Sequence, residues 1–394
     1  GGRIAGGAAA VLLIAFVFYM TDPVMAKNIP VVGGLFETLQ NNVSFFGDFA
    51  DHATTLEAVD GVDAEGNNIA ENGNAVSETE KGKWAEDNTT GQEEIGATVA
   101  DTNAAVATAK GDSALPGLVL EGGTFRPVFS CGVMDALLDH DIMFDYVVGV
   151  SAGITYAISY LSRQRGRNLE VLRRYRGDSR YFGVRNLPHD HSIFGTDFVF
   201  DTIPNQLIPF DWETYHRYKG RILVGVTNAE TGRAEYLDGA KLDRTCTMLR
   251  ATCAIPLYFP AVQLGGGTFY DGGVADPIPI VRSLHDGNRK NLIVLTQPKS
   301  YRKTLTRGLK FAAHALHRKY PAMTETMLAR PGLYNDTVCL CRRLAEENPA
   351  DTVLLQPDAP LATFEKDIKK LEWGYEMGYN MTCDRIDDIK ALFV

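Results

Sequence analysis

The chain has 394 residues, 45% hydrophobic and 22% charged, with 39 Lys/Arg against 49 Asp/Glu. This composition excludes a wholly disordered chain, a collagen-like fibre and a polytopic membrane protein, and the length allows two to three average domains or one large domain with extensions. The net charge of −10 is local: residues 48–112 hold fifteen Asp/Glu and three Lys/Arg, leaving 36 Lys/Arg against 34 Asp/Glu elsewhere. That near-neutral remainder offers no basic field for nucleic acid, so none is expected as a partner.

Residues Ile4 to Met20 form a nearly unbroken apolar run, preceded by Arg3 and ended by Thr21-Asp22-Pro23. Its length is at the lower edge of what crosses a bilayer. Residues 1–26 therefore read as a single-pass anchor that places the protein at a membrane. The alternative is a secretory signal with Val24-Met25-Ala26 as its cleavage site, which implies secretion. A fused or truncated reading frame, suggested by the missing initial Met, implies a cytoplasmic protein instead. Residues 27–114 become polar and acidic from Asp51 onward, with Trp84 the only aromatic before Ser113. Such a stretch buries too little apolar surface to offset its ordering entropy and reads as a disordered acidic linker.

From Leu115 onward short apolar runs alternate with helix-period segments, the texture of an α/β domain. Strands are expected at Gly117–Leu120, Tyr146–Gly149, Arg221–Thr227, Asn291–Thr296 and Thr352–Gln356, with a hairpin-like turn at Ala229-Glu230-Thr231-Gly232. Helices are expected at Cys131–Leu138, Ala152–Leu161, Asp243–Cys253 and Glu365–Tyr379.

The strongest chemical signal is Gly149-Val150-Ser151-Ala152-Gly153, between an expected strand and an expected helix. A strand that turns sharply into a helix needs small residues around the turning serine. Its hydroxyl is then presented above the sheet at the positive end of the helix. A nucleophilic serine needs a proton acceptor. His314 and His317 come late enough in the chain for the usual triad order, but they stand in a very basic stretch. Asp271, in Phe269-Tyr270-Asp271-Gly272-Gly273, is the other candidate, because a carboxylate on a glycine-bounded loop can approach a second loop closely. A third element, Leu118-Val119-Leu120-Glu121-Gly122-Gly123-Thr124-Phe125-Arg126, runs from a strand into glycines whose N–H groups are free to face a developing oxyanion.

In this order the three elements resemble the patatin-like phospholipase family. Ser159-Tyr160-Leu161-Ser162-Arg163-Gln164-Arg165-Gly166-Arg167 and Asp271-Gly272-Gly273-Val274-Ala275-Asp276-Pro277-Ile278-Pro279 resemble its bacterial branch. The resemblance covers about residues 115–394. It implies a three-layer α/β/α fold with a mostly parallel central sheet, and a serine acyl-ester hydrolase that degrades lipids. It makes Ser151 the nucleophile and Asp271 the base of a two-residue dyad. Gly149 and Gly153 flank the elbow, Gly272 and Gly273 complete the Asp-Gly-Gly loop, and Gly122, Gly123, Thr124 and Arg126 form the oxyanion loop. No metal or organic cofactor is required by this chemistry. The family pattern is Gly-Gly-Gly-x-Arg-Gly, whereas this chain has Thr124 and Pro127 at the third and sixth places. A β-branched residue resists positive φ and proline fixes φ, so either residue distorts the loop if the geometry needs φ > 0 there.

Two further readings stay open: a general esterase or thioesterase for soluble esters, and a catalytically impaired, membrane-tethered binding protein. The arginines between Ser159 and Arg185 suit anionic lipid headgroups, and the basic, apolar-studded stretch Tyr301–Tyr320 suits a membrane surface. The arginines also fit a solvated helix face with internal ion pairs, and Tyr301–Tyr320 also fits core packing with a snorkelling basic face. The six cysteines have no metal-site or disulfide-framework spacing and read as mostly buried thiols.

Overall fold

The computed structural model describes residues 115–394; the apolar run at 1–26 and the acidic stretch at 27–114 lie outside the described residues. Strand β1 (Gly117–Leu120) is buried throughout, as an all-apolar run must be when both faces of a sheet are covered. It leads through a glycine loop to α1 (Val128–Asp139), β2 (Tyr146–Val150), α2 (Ser151–Leu161) and α3 (Arg167–Tyr175). Strands β3 (Arg221–Asn228) and β4 (Ala234–Asp238) pair as a hairpin. Helix α4 (Thr247–Thr252) precedes a second hairpin of β5 (Val262–Leu264) and β6 (Gly267–Asp271). Helix α5 (Ile280–His285), β7 (Asn291–Val294), α6 (Arg307–His317), α7 (Pro321–Glu347), β8 (Thr352–Leu355) and α8 (Ile368–Asp384) follow.

The sheet runs β5-β6-β3-β2-β1-β7-β8, with β4 also paired to β3. β3, β2, β1, β7 and β8 are mutually parallel, and the two hairpins add the antiparallel strands. Successive residues of β1 point to opposite faces. Leu118 and Leu120 pack with α1, α2 and α8 on one side; Val119 packs with α5 and α7 on the other. The result is the expected three-layer α/β/α arrangement with a mostly parallel centre. The chain leaves β1 toward β2 and returns on its other edge with β7. Such a reversal of strand order opens a crevice at the carboxyl ends of the strands, and the candidate residues lie there.

All five expected strands form, within two residues at their ends. The structure adds β4, β5 and β6. β4 is only half buried and mixes Glu, Tyr and Asp, so it lacks the apolar run that marks the central strands. Helix α4 begins at Thr247 rather than Asp243, because Asp243 acts from outside, accepting the Thr247 N–H through Oδ1 at 3.1 Å. Helix α8 is displaced to 368–384, capped by Asp367. The 27-residue helix α7 is not among the expected helices and runs through Pro331-Gly332. Among the described residues no helix is long and apolar enough to cross a membrane.

Helices α1 and α8 meet backbone to backbone. A Cβ on Gly378 would stand 2.0 Å from the Phe129 carbonyl oxygen, and one on Gly132 would stand 1.9 Å from that of Tyr375. Gly378→Ala is therefore expected to destabilise the protein by roughly 1–3 kcal/mol through overpacking, measured as a lower urea midpoint. An unchanged midpoint would show that the two helices can separate at no cost.

Candidate active site

Ser151 stands where β2 becomes α2 and adopts φ +51. Its N–H is therefore not in the strand ladder; it donates to Thr252 Oγ1 at 2.8 Å, and that hydroxyl donates on to the Gly225 carbonyl at 2.5 Å. Thr155, one turn into α2, returns its hydroxyl to the Ser151 carbonyl at 3.0 Å. Gly149 ends the strand side of the elbow, and Gly153 lets α2 come down onto β1: a Cβ there would lie 2.4 Å from the Glu121 carbonyl oxygen.

Asp271 ends β6. Its backbone is held by Ala254, whose carbonyl accepts its N–H at 2.9 Å, and by Thr227, whose hydroxyl donates to its carbonyl at 2.8 Å. Its side chain faces the elbow. Ser151 Oγ donates to Asp271 Oδ2 at 2.7 Å, and the Gly273 N–H donates to Oδ1 at 2.7 Å. Ser151 and Asp271 are 5% and 6% exposed. Burial pushes the Asp271 carboxyl up from the usual carboxylate range, opposed by these two hydrogen bonds and by the charges of Arg330 and Lys303. Gly272 and Gly273 form the short helical turn after Asp271.

In the glycine loop, no hydrogen bond among the described residues takes up the N–H of Gly122, Gly123 or Thr124. The Arg126 N–H differs: it donates to the Gly123 carbonyl at 3.1 Å. Arg126 therefore offers no amide to an oxyanion, and its buried guanidinium underlies the loop, with Nη1 donating to Thr363 Oγ1 at 2.5 Å. The two departures from Gly-Gly-Gly-x-Arg-Gly separate physically. Pro127 sits at φ −65, its ordinary value, at the N-terminus of α1 where a missing N–H costs nothing. Thr124 takes φ +57, a left-handed conformation that strains a β-branched residue.

Residues 118–282 match the family model described as Patatin-like phospholipase. Over this stretch the chain is similar to patatin-like phospholipases. It is 25% identical to the uncharacterised protein YjjU of Escherichia coli K12, across 46% of this chain and 52% of that protein. It is 29% identical to a cGAMP-activated phospholipase of Pseudomonas aeruginosa, across 43% of this chain and 55% of that protein. The chain thus spans about half the length of these relatives. Among solved structures, VipD from Legionella pneumophila aligns over 70% of this chain and 67% of its own, with a TM-score of 0.37 and 11% identity.

A small pocket with a cavity volume of about 70 Å³ opens onto Ser151. Its walls are apolar and largely aromatic, among them Phe125, Tyr156, Tyr181, Phe194, Phe200 and Phe259. Phe194 stacks between Phe125 and Phe259, at centroid distances of 6.0 and 5.2 Å. These aromatics come from loops, from α2 (Tyr156) and from a π-helical stretch at Phe198–Leu207 (Phe200). Thr252 and Arg330 were missed: each reaches the site from a distant segment with no motif around it.

Other candidates fall away from the site. His314 and His317 lie exposed on α6, and neither contacts Ser151. The arginines after the elbow are largely committed within the protein. Arg165, Arg173, Arg174 and Arg180 pair with Asp139, Glu372, Glu170 and Asp178. Arg167 and Arg176 are buried on backbone carbonyls. Cys131, Cys246 and Cys341 are buried, whereas Cys339 is exposed. Among the described residues no group of three or more His, Cys, Asp and Glu side chains is placed to hold a metal ion.

Two stability measurements probe this geometry. Thr252→Val keeps the shape but leaves the Ser151 N–H and the Gly225 carbonyl unpaired, an expected cost of roughly 1–3 kcal/mol that Thr252→Ser largely avoids. Equal melting temperatures for both variants would remove the elbow's dependence on that hydroxyl. Thr124→Gly is expected to stabilise the domain by about 1 kcal/mol, because glycine accepts φ > 0 without strain. A lower melting temperature for this variant would contradict the strain.

Proposed function

We propose that the protein is a serine acyl-ester hydrolase acting on lipids, with Ser151 as nucleophile and Asp271 as base. The observation that carries this reading is the 2.7 Å hydrogen bond from Ser151 Oγ to Asp271 Oδ2, beside a loop of three unpartnered amides and at the mouth of an apolar pocket. Lipid hydrolysis is also the activity that the family's description names.

In this mechanism the acyl chain lies in the aromatic pocket and the ester carbonyl stands over Ser151. Oγ attacks the carbonyl carbon as its proton passes to Asp271 Oδ2. The negative charge on the carbonyl oxygen is taken by N–H groups of Gly122, Gly123 and Thr124, aided by the positive end of α2. Collapse expels the alcohol, which leaves with the proton from Asp271. Water, deprotonated by Asp271, then attacks the acyl-serine, and the acid and free Ser151 are restored.

The test uses the full chain, an active-site fluorophosphonate probe, phospholipid vesicles and a short-chain soluble ester. Ser151→Ala is expected to abolish labelling and turnover, and Asp271→Asn to reduce both by roughly 10²–10⁴-fold. Labelling of Ser151→Ala at the parent rate would sink the assignment. A chain that cleaves the soluble ester but not vesicle phospholipid would be an esterase rather than a lipid hydrolase.

A further inference from the structure

Arg330 lies on α7, outside residues 118–282 that the family model covers. Its Nε donates to the Gly273 carbonyl, and its Nη2 lies 3.7 Å from where a Cβ on Gly273 would stand. Gly273 is the residue whose N–H holds Asp271 Oδ1. Arg330 thus grips the Asp-Gly-Gly turn at Gly273.

The charged and titratable groups around Asp271 come from several elements. The elbow supplies the Ser151 hydroxyl, and the turn after α4 supplies the Cys253 thiol, which burial pushes up to about 12. The segment before α6 supplies Lys303, with Nζ 5.0 Å from the centroid of the Tyr334 ring. One layer further out stand Arg126, Tyr301, Tyr334 and Glu121, the last accepting hydrogen bonds from the Thr296 N–H and the Tyr334 hydroxyl. Burial, with Arg330 and Arg126 nearby, pulls the Lys303 ammonium well below its usual range, so its charge is the first lost as pH rises. Burial also lowers Arg330, with Asp271 opposing, but a guanidinium stays protonated throughout neutral pH. Arg330 is therefore the fixed positive charge that acts most strongly on Asp271 in this set.

We propose that Arg330 is a positioning residue: it clamps the Gly273 end of the Asp271 turn and sets a fixed positive charge beside that carboxylate. This rests on the reading of Asp271 as base, since a base must be unprotonated. The sign follows directly. A nearby cation favours the carboxylate, so its removal moves Asp271 protonation, and the acidic limb of the activity profile, to higher pH.

The experiment titrates the full chain carrying aspartate labelled with ¹³C at its side-chain carboxyl, the Asp271 signal being the one lost in Asp271→Asn. The pH profile of kcat/KM on a soluble ester is measured alongside. Arg330→Met is expected to raise the Asp271 midpoint and the acidic limb together by about one pH unit, roughly a tenfold loss of turnover on that limb. Arg330→Gln, which retains donors for Gly273 without charge, is expected to shift the midpoint in the same direction and covers the case in which Arg330→Met does not fold. Arg330→Lys is expected to stay near the parent. An unmoved Asp271 midpoint in the uncharged variants overturns the proposal, as does Arg330→Lys titrating like Arg330→Met. A midpoint that moves in a chain hydrolysing no ester upholds the charge effect and removes the role of Asp271 as base.

Discussion

Val150 pairs with Gly225 and Asp271 pairs with Val226, so two consecutive residues of β3 set the positions of both halves of the proposed dyad. Ser151 follows Val150 directly and is tied again to Gly225 through Thr252. A hydrogen bond between residues 120 positions apart in the chain is thereby reduced to a local matter of strand register. A one-residue slip of β6 on β3 would turn Asp271 to the other face of the sheet, with every other motif intact.

Without a histidine the proposed dyad depends on where its carboxylate is buried. Burial alone pushes the Asp271 carboxyl up, toward the protonated form that cannot accept a proton. The elbow hydroxyl, the Gly273 amide and the cations beyond it work against that tendency. The division of the surroundings is therefore meaningful: aromatic side chains line the side of Ser151 that faces the pocket, and charged groups crowd the side of Asp271 that faces α7. One side accommodates a chain of methylenes while the other holds a charge in place.

The elbow was readable because its requirements are local: a strand, a tight turn and a helix leave their marks within ten residues. The central strands were readable for a related reason, since burial on both faces demands continuous apolar runs such as Leu118-Val119-Leu120. Asp271 was different. An Asp-Gly-Gly sequence is an ordinary turn; its glycines made Asp271 one candidate beside His314 and His317, and the resemblance chose among them. Thr252 and Arg330 carried no mark at all, because their partners lie 101 and 57 residues away along the chain. Thr124 marks a subtler limit. The sequence shows that a β-branched residue replaces a glycine, but only the backbone shows that it accepts the left-handed conformation while Pro127 sits unstrained.

The loop over Ser151 is held from an unexpected direction. The Thr363 carbonyl accepts the Phe125 N–H at 3.3 Å and its hydroxyl takes Arg126, and α8, which follows, locks α1 through Gly132 and Gly378. Ribosomes deliver a chain from its amino end. The serine, its carboxylate and the aromatic pocket are all synthesised before the residues that tie the glycine loop down. The amides above Ser151 therefore gain their anchor only once the segment around Thr363 and α8 has been made.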